Sequence, residues 1–282
     1  MSIGSLVLVL LASMTHACWN YLAKKTSGGV SFAWLVYTAS TFIFLPFALT
    51  LAFDWTFNPY IAGLCLISGA LRLGYFLLLQ SGYRNGDLSL VYPLARGSAP
   101  LFTGIGAIAI LRETPNVYTV SGLILITAGV LIITKPRFAP SDTKLKTGTL
   151  YGLSTGLVIA VYTIWDKIAI GENINPLVLT FTSHVMGACF LAPFALRNKN
   201  KLKETFANHK WTAVAIGALS PVSYLLVLQA MTTTDVLYIA PVREVSILFG
   251  VLIGGHFMSE QDSQRRMIAG CFILAGIVIL AI

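Results

Sequence analysis

Charge is scarce in this chain, and acid is scarcest. Of 282 residues only 11% are charged, 11 Asp or Glu against 19 Lys or Arg, while 56% are hydrophobic and the mean hydropathy is +0.78. Soluble domains carry about a quarter charged residues, so that class is excluded. Long polar stretches are missing too: none exceeds about 15 residues, which leaves no room for a soluble catalytic domain. Cysteine is sparse, and Cys18, Cys65, Cys189 and Cys271 each fall within an apolar run. Such positions cannot frame extracellular disulfides and read as small apolar packers. The sequence has no Walker loop, HExxH, Asp-rich diphosphate motif or Cys/His metal spacing. No metal and no cofactor is therefore expected beyond a coupling proton or other ion. The basic residues are spread over short loops rather than gathered in a stripe, which argues against nucleic acid. The N-terminus lacks a basic n-region, and His16, Trp19 and Asn20 interrupt its apolar run, so a retained first helix is expected rather than a signal peptide.

What is present is a series of ten apolar runs, near 3–23, 31–52, 60–83, 88–111, 116–134, 147–167, 175–196, 211–231, 235–258 and 264–282. Most are long enough for about 30 Å of hydrocarbon at about 1.5 Å per residue. Interior spans must be helical, because lipid cannot satisfy a free backbone group. The chain also repeats itself. Pro46-Phe47-Ala48-Leu49 returns as Pro193-Phe194-Ala195-Leu196, and Trp19-Asn20 returns as Trp165-Asp166. Tyr75 and Gln80 return as Tyr224 and Gln229, Asp87 and Pro93 as Asp235 and Pro241, and Glu113 as Glu260. Five spans per half is odd, so the second half enters the membrane from the opposite face. The expected fold is an all-α integral membrane protein of ten transmembrane helices in two inverted five-helix repeats, 1–134 and 147–282, joined by a linker over 135–146. Inverted repeats place a substrate site where the halves meet, which points to a transporter.

Loop charge sets the expected orientation. Odd-numbered loops hold fourteen Lys and Arg, even-numbered loops only Arg112 and Lys167. The positive-inside rule puts the odd loops in the cytoplasm and both termini on the non-cytoplasmic side, in a bacterial inner membrane.

Three arginines remain inside the spans: Arg72, Arg96 and Arg243, the last beside Glu244. A charge at the bilayer centre costs about 2.5–3.5 kcal/mol on insertion scales, so these side chains should face a cavity or a partner. Two readings stand: a structural ion pair joining the fourth and ninth helices, or an electropositive cavity. With Glu244 as the only deep acid, the surplus would be two positive charges. That favours a small anion, such as a phosphonate or organic phosphate, or an amino-acid-like zwitterion. A polyamine carrier would instead show acids and an aromatic cage. Glu244 is also the one acid placed to couple a proton.

Pro93 and Pro241 break matching helices at mirrored depth, a pointer to a binding site. Tyr92 and Arg96 share a face beside the first break, and Tyr238 and Glu244 flank the second. His16 and Asn20 share a face of the first helix with Trp19 beside them, and Arg72 shares one with Tyr75. His184 aligns with Tyr37 across the repeats. The candidate substrate-binding set is His16, Trp19, Asn20, Arg72, Tyr75, Tyr92, Arg96, Trp165, Tyr224, Tyr238, Arg243 and Glu244. Trp55, Tyr60, Tyr118 and Trp211 read as interfacial anchors, and Glu113 and Glu260 as exposed helix ends. Gly250 and Gly254 form a GxxxG, and the fifth and tenth helices carry small-residue patterns suited to close packing.

Leu111-Arg112-Glu113, followed by Ser121-Gly122 and Ala128-Gly129-Val130, has its second copy in Ser259-Glu260, Ala269-Gly270 and Ala275-Gly276-Ile277. This pattern resembles the EamA-type branch of the drug/metabolite transporter superfamily over nearly the whole chain. The resemblance implies a secondary transporter or exporter of small polar metabolites, with a cavity lined by helices 1, 3, 4, 6, 8 and 9. His16-Ala17-Cys18-Trp19-Asn20 also resembles a subgroup associated with phosphonate-utilisation gene neighbourhoods. The loop after the second span carries only Asp54 where many members are basic, which implies the opposite orientation to theirs. Alternating access without ATP is expected, the partners being a small-molecule substrate and the lipid bilayer, as monomer or homodimer. A flippase for a lipid-linked sugar is the alternative, followed by a membrane-embedded enzyme with His16 as base.

Overall fold

The computed structural model describes residues 1–24, 26, 29–52, 58–85, 88–134, 143–249 and 263–281. The helices are α1 (Ile3–Lys24), α2 (Val30–Ala52), α3 (Pro59–Asn85), α4 (Leu88–Ala109), α5 (Val117–Thr134), α6 (Thr143–Gly171), α7 (Pro176–Leu196), α8 (Lys199–Met231), α9 (Val236–Arg243) and α10 (Ser263–Ala281). Among the described residues, α1, α2, α3, α6, α7 and α8 are long and apolar enough to cross a membrane. Shorter apolar stretches run over Val117–Ile132 in α5 and Ile268–Leu280 in α10. Large apolar side chains such as Phe42, Ile105, Leu150, Phe194 and Val278 point outward from these helices. That belt is the surface a bilayer would cover.

Packing follows the repeat. The α1–α8 contact has its counterpart in α3–α6, and α2–α8 in α3–α7. The pairs α2–α7, α4–α9 and α5–α10 each join equivalent helices. Glycine permits the tightest of these approaches. A β-carbon on Gly129 would lie 2.9 Å from the Ala269 carbonyl oxygen, and one on Gly276 would lie 2.9 Å from that of Gly122. Thus α5 and α10 meet backbone to backbone, as their small residues predict. Gly250 and Gly254 lie outside the described residues, as do Trp55, Asp54 and Glu260.

Three elements differ from the expected spans. α6 extends from Thr143 to Gly171, past both predicted ends, so Lys167 belongs to a helix rather than a loop. Its ammonium donates to the carbonyls of Met231 (2.7 Å) and Thr234 (2.9 Å), at the end of α8. α8 begins at Lys199 rather than near 211, because the Asn198 side chain caps it by accepting from the Lys201 N–H at 3.0 Å. The Lys, Leu, Glu and Ala that follow are good helix formers, although their polarity reads as loop. α9 stops at Arg243, a turn intervenes at Glu244, and helix resumes over 245–249. The break falls three residues after Pro241, whose carbonyl accepts from the Glu244 N–H at 3.0 Å in a tighter turn.

Candidate functional site

A cavity of about 450 Å3 opens between the two halves. α1, α2, α3, α7 and α8 form its walls, while α4, α6 and α9 contribute Arg96, Tyr162 and Arg243 among the described residues. The resemblance implied helices 1, 3, 4, 6, 8 and 9, and the structure adds α2 and α7. Those two bring Tyr37 and His184, whose rings lie 5.5 Å apart.

Two charged clusters flank the space. The first is built on Asp166 of α6, which is completely buried. Ser68 and Arg72 of α3 and Tyr224 of α8 all donate to it, Arg72 Nη2 and the Tyr224 hydroxyl each at 2.7 Å and Ser68 Oγ on the other carboxylate oxygen. The Arg72 guanidinium also lies 3.8 Å over the Tyr224 ring and 5.9 Å from the centre of Tyr162. Tyr162 in turn stands edge-on to Tyr75 at 5.9 Å and to Tyr224 at 6.2 Å. Arg72 is thus fixed by an acid at one nitrogen and by an aromatic face beneath it.

The second cluster joins α1, α4 and α9. Arg96 Nη2 donates to His16 Nε2 at 2.7 Å; because a guanidinium has no acceptor, this ring nitrogen must accept. Arg96 Nη1 is 3.6 Å from Glu244 Oε1, and Arg243 Nε is 3.9 Å from the same oxygen. The His16 ring abuts Trp19 edge-on at 4.8 Å, and Asn20 donates back to the His16 carbonyl at 2.8 Å.

Of the candidate residues, His16, Trp19, Asn20, Arg72, Tyr75, Arg96, Tyr224 and Arg243 border the cavity. The Tyr92 side chain lies outside the described residues. Trp165 is turned away: its indole donates to the Leu64 carbonyl at 3.0 Å and its ring packs on the apolar core. Tyr238 likewise packs on that core, and Glu244 sits one guanidinium deep, behind Arg96 and Arg243. Tyr60 and Tyr118 are exposed at the starts of α3 and α5, whereas Trp211, also exposed, lies inside α8 because that helix begins at Lys199.

Sequence reasoning missed Asp166, and with it the charge balance. Three arginines face two buried acids, so the surplus is one positive charge rather than two. The signal was in the repeat, since Asp166 is the counterpart of Asn20; Trp165 was chosen from that pair instead. Tyr162, one turn before Asp166 on the same face, was missed with it. Glu113 is not an exposed helix end. Its carboxylate accepts from the N–H groups of Val236 and Leu237, both at 2.9 Å, so the first half caps the start of α9.

The profile of the EamA-like transporter family matches residues 3–135 and again 146–282. The chain belongs to the EamA-like transporter family. It is a multi-pass membrane transporter of the drug/metabolite type, and its two matched segments coincide with the two copies of the repeat. A solved crystal structure superposes with a TM-score of 0.80 at 15% identity, covering 99% of this chain and 96% of that one, which establishes a shared fold. No curated protein matches the sequence.

Proposed function

We propose that this EamA-like protein carries a small polar metabolite with a carboxylate, phosphonate or similar anionic group, either a monoanion or an amino-acid-like zwitterion. The observation that carries the reading is the aromatic cavity bordered by Arg72, Arg96 and Arg243, with one net positive charge between the halves. Arginine supplies the planar fork that grips an anionic oxygen pair. An amine on the same substrate would meet the ring faces of Tyr37, Tyr75 and Tyr162. Inverted repeats rocking about this site give alternating access, with both termini on the non-cytoplasmic side of a bacterial inner membrane. The protein works as a monomer or homodimer.

A volume of about 450 Å3 suits a metabolite and is cramped for a lipid-linked sugar, which disfavours the flippase. The enzyme reading needs His16 as base, yet its Nε2 already accepts from Arg96. Proteoliposomes test the proposal: saturable uptake of glycine or an aminoalkyl phosphonate without chemical change supports it, and conversion without translocation refutes it.

A further inference from the structure

Two carboxylates are buried at the cavity, and they are in opposite states. Asp166 receives three hydrogen bonds. Glu244 is equally buried, at 0% exposure, yet among the described residues neither of its oxygens has a hydrogen-bond donor. Arg96 at 3.6 Å and Arg243 at 3.9 Å are near enough to neutralise it and too far to hydrogen-bond. Arg243 Nε is also buried without a hydrogen-bond partner. The groups around this cluster come from each element packed on α9. α4 supplies Arg96, and α1 supplies His16 on the far side of Arg96 and Ser13, which donates to the Arg243 carbonyl. Tyr224 of α8 and Tyr162 of α6 line the same cavity as Arg243. α5 brings no Asp, Glu, Lys, Arg or His. Glu244 also stands at the break in α9: its N–H bonds Pro241 O at 3.0 Å, and its carbonyl starts the next turn through the Ile247 N–H at 2.9 Å.

We propose that Glu244 couples transport to protons by acting as a displaceable counter-ion. In the empty carrier it balances Arg96 and Arg243. The substrate's anionic group, entering from the cavity that both arginines border, takes over their guanidiniums. Glu244 is then a buried carboxylate without a counter-charge, which is costly, and it takes one proton from the cavity water. An O–H bond forms on the carboxyl, no bond breaks in the substrate, and the site's net charge is unchanged because an anion and a proton enter together. Asp166 keeps its three donors and stays out of the exchange. Substrate and proton therefore move in the same direction. This inference deepens the anion-site reading and rests on it.

The probe is methanesulfonate, an anion that does not titrate near neutrality. Purified wild-type protein in weak buffer should take up one proton per anion bound, and its apparent Kd should weaken about tenfold per pH unit. An infrared carboxylic C=O band should appear on binding. Glu244→Gln should bind the anion without proton uptake, without the pH slope and without the band, and about tenfold more tightly at alkaline pH, where the competitor is strongest in the wild type. Anion binding by the wild type with no proton uptake overturns the coupling and leaves the anion site standing. Proton uptake that persists in Glu244→Gln overturns the assignment to Glu244. Saturable binding by neither protein overturns both readings. Should Glu244→Gln not be recovered folded, Glu244→Asp decides: a binding-induced carboxylic band that shifts in this variant supports the assignment, and an unshifted band overturns it.

Discussion

Arg96 and Glu244 occupy equivalent places in the two repeats, each three residues after a helix proline, and they meet across the α4–α9 contact at 3.6 Å. A duplication would ordinarily place like beside like at such a position. Here it places opposite charges, so the pair closes the two halves on each other while leaving Arg96 on the cavity wall. The two sequence readings of these residues, ion pair and binding site, are therefore compatible. Arg96 makes the pair with one nitrogen and touches His16 with the other.

Asp166 should be the least replaceable side chain of the site. Asp166→Ala strands Arg72 and two hydroxyl donors, and removing one partner of a buried pair costs about 3–5 kcal/mol. The lower end is expected because Arg72 borders the cavity. A thermal melt in detergent should show the loss, with Asp166→Asn milder because one acceptor survives. An unchanged melting temperature for Asp166→Ala would refute the anchoring role.

Glu113→Ala should cost about 1–2 kcal/mol, the size of a lost helix cap, by freeing the Val236 and Leu237 N–H groups. Because α9 ends in Arg243 and leads directly into Glu244, transport should fall along with stability. Glu204→Ala, on the exposed start of α8, is the control and should change neither.

Close packing between α5 and α10 predicts opposite signs for two glycine substitutions. Gly129→Ala brings a β-carbon to 2.9 Å from the Ala269 carbonyl oxygen and should destabilise by about 1–3 kcal/mol. Gly74→Ala meets nothing within 4 Å and should be neutral or stabilising by up to about 1 kcal/mol. Equal melting temperatures for the two variants would contradict this packing.

Orientation is open to reporter fusions. A reporter after Ile282 should score as external, and one inserted at Arg197, just before α8, as cytoplasmic. The reverse pattern would show that the basic loops face outward.

The helical two-repeat fold was largely legible because membrane spans announce themselves by length and apolarity, and because each half repeats the pattern of the other. The buried arginines were legible for the same reason: in a run of Leu, Ile and Gly they have nowhere to be but a cavity. Asp166 was not. It sits one residue before the predicted end of its span, where an acid reads as a helix end beside Lys167, and only the extension of α6 to Gly171 puts it a turn deeper. The capping role of Glu113 was equally hidden, since it depends on the start of α9 packing beside the α4–α5 connection. The polar first turns of α8 escaped because hydropathy reports lipid contact rather than helix formation.

The central claim is that the arginine-flanked cavity binds the substrate's anionic group, and transport by single arginine variants tests it most directly. Uptake of glycine or an aminoalkyl phosphonate into proteoliposomes should fall at least tenfold in Arg96→Ala and Arg243→Ala, the loss of a hydrogen bond to a charged group being about 1.5–3 kcal/mol. Arg84→Ala, an exposed control near the end of α3, should transport normally. Full transport in both cavity variants, or stabilisation of the wild type by a plain polyamine alone, would contradict the claim and make the arginines structural.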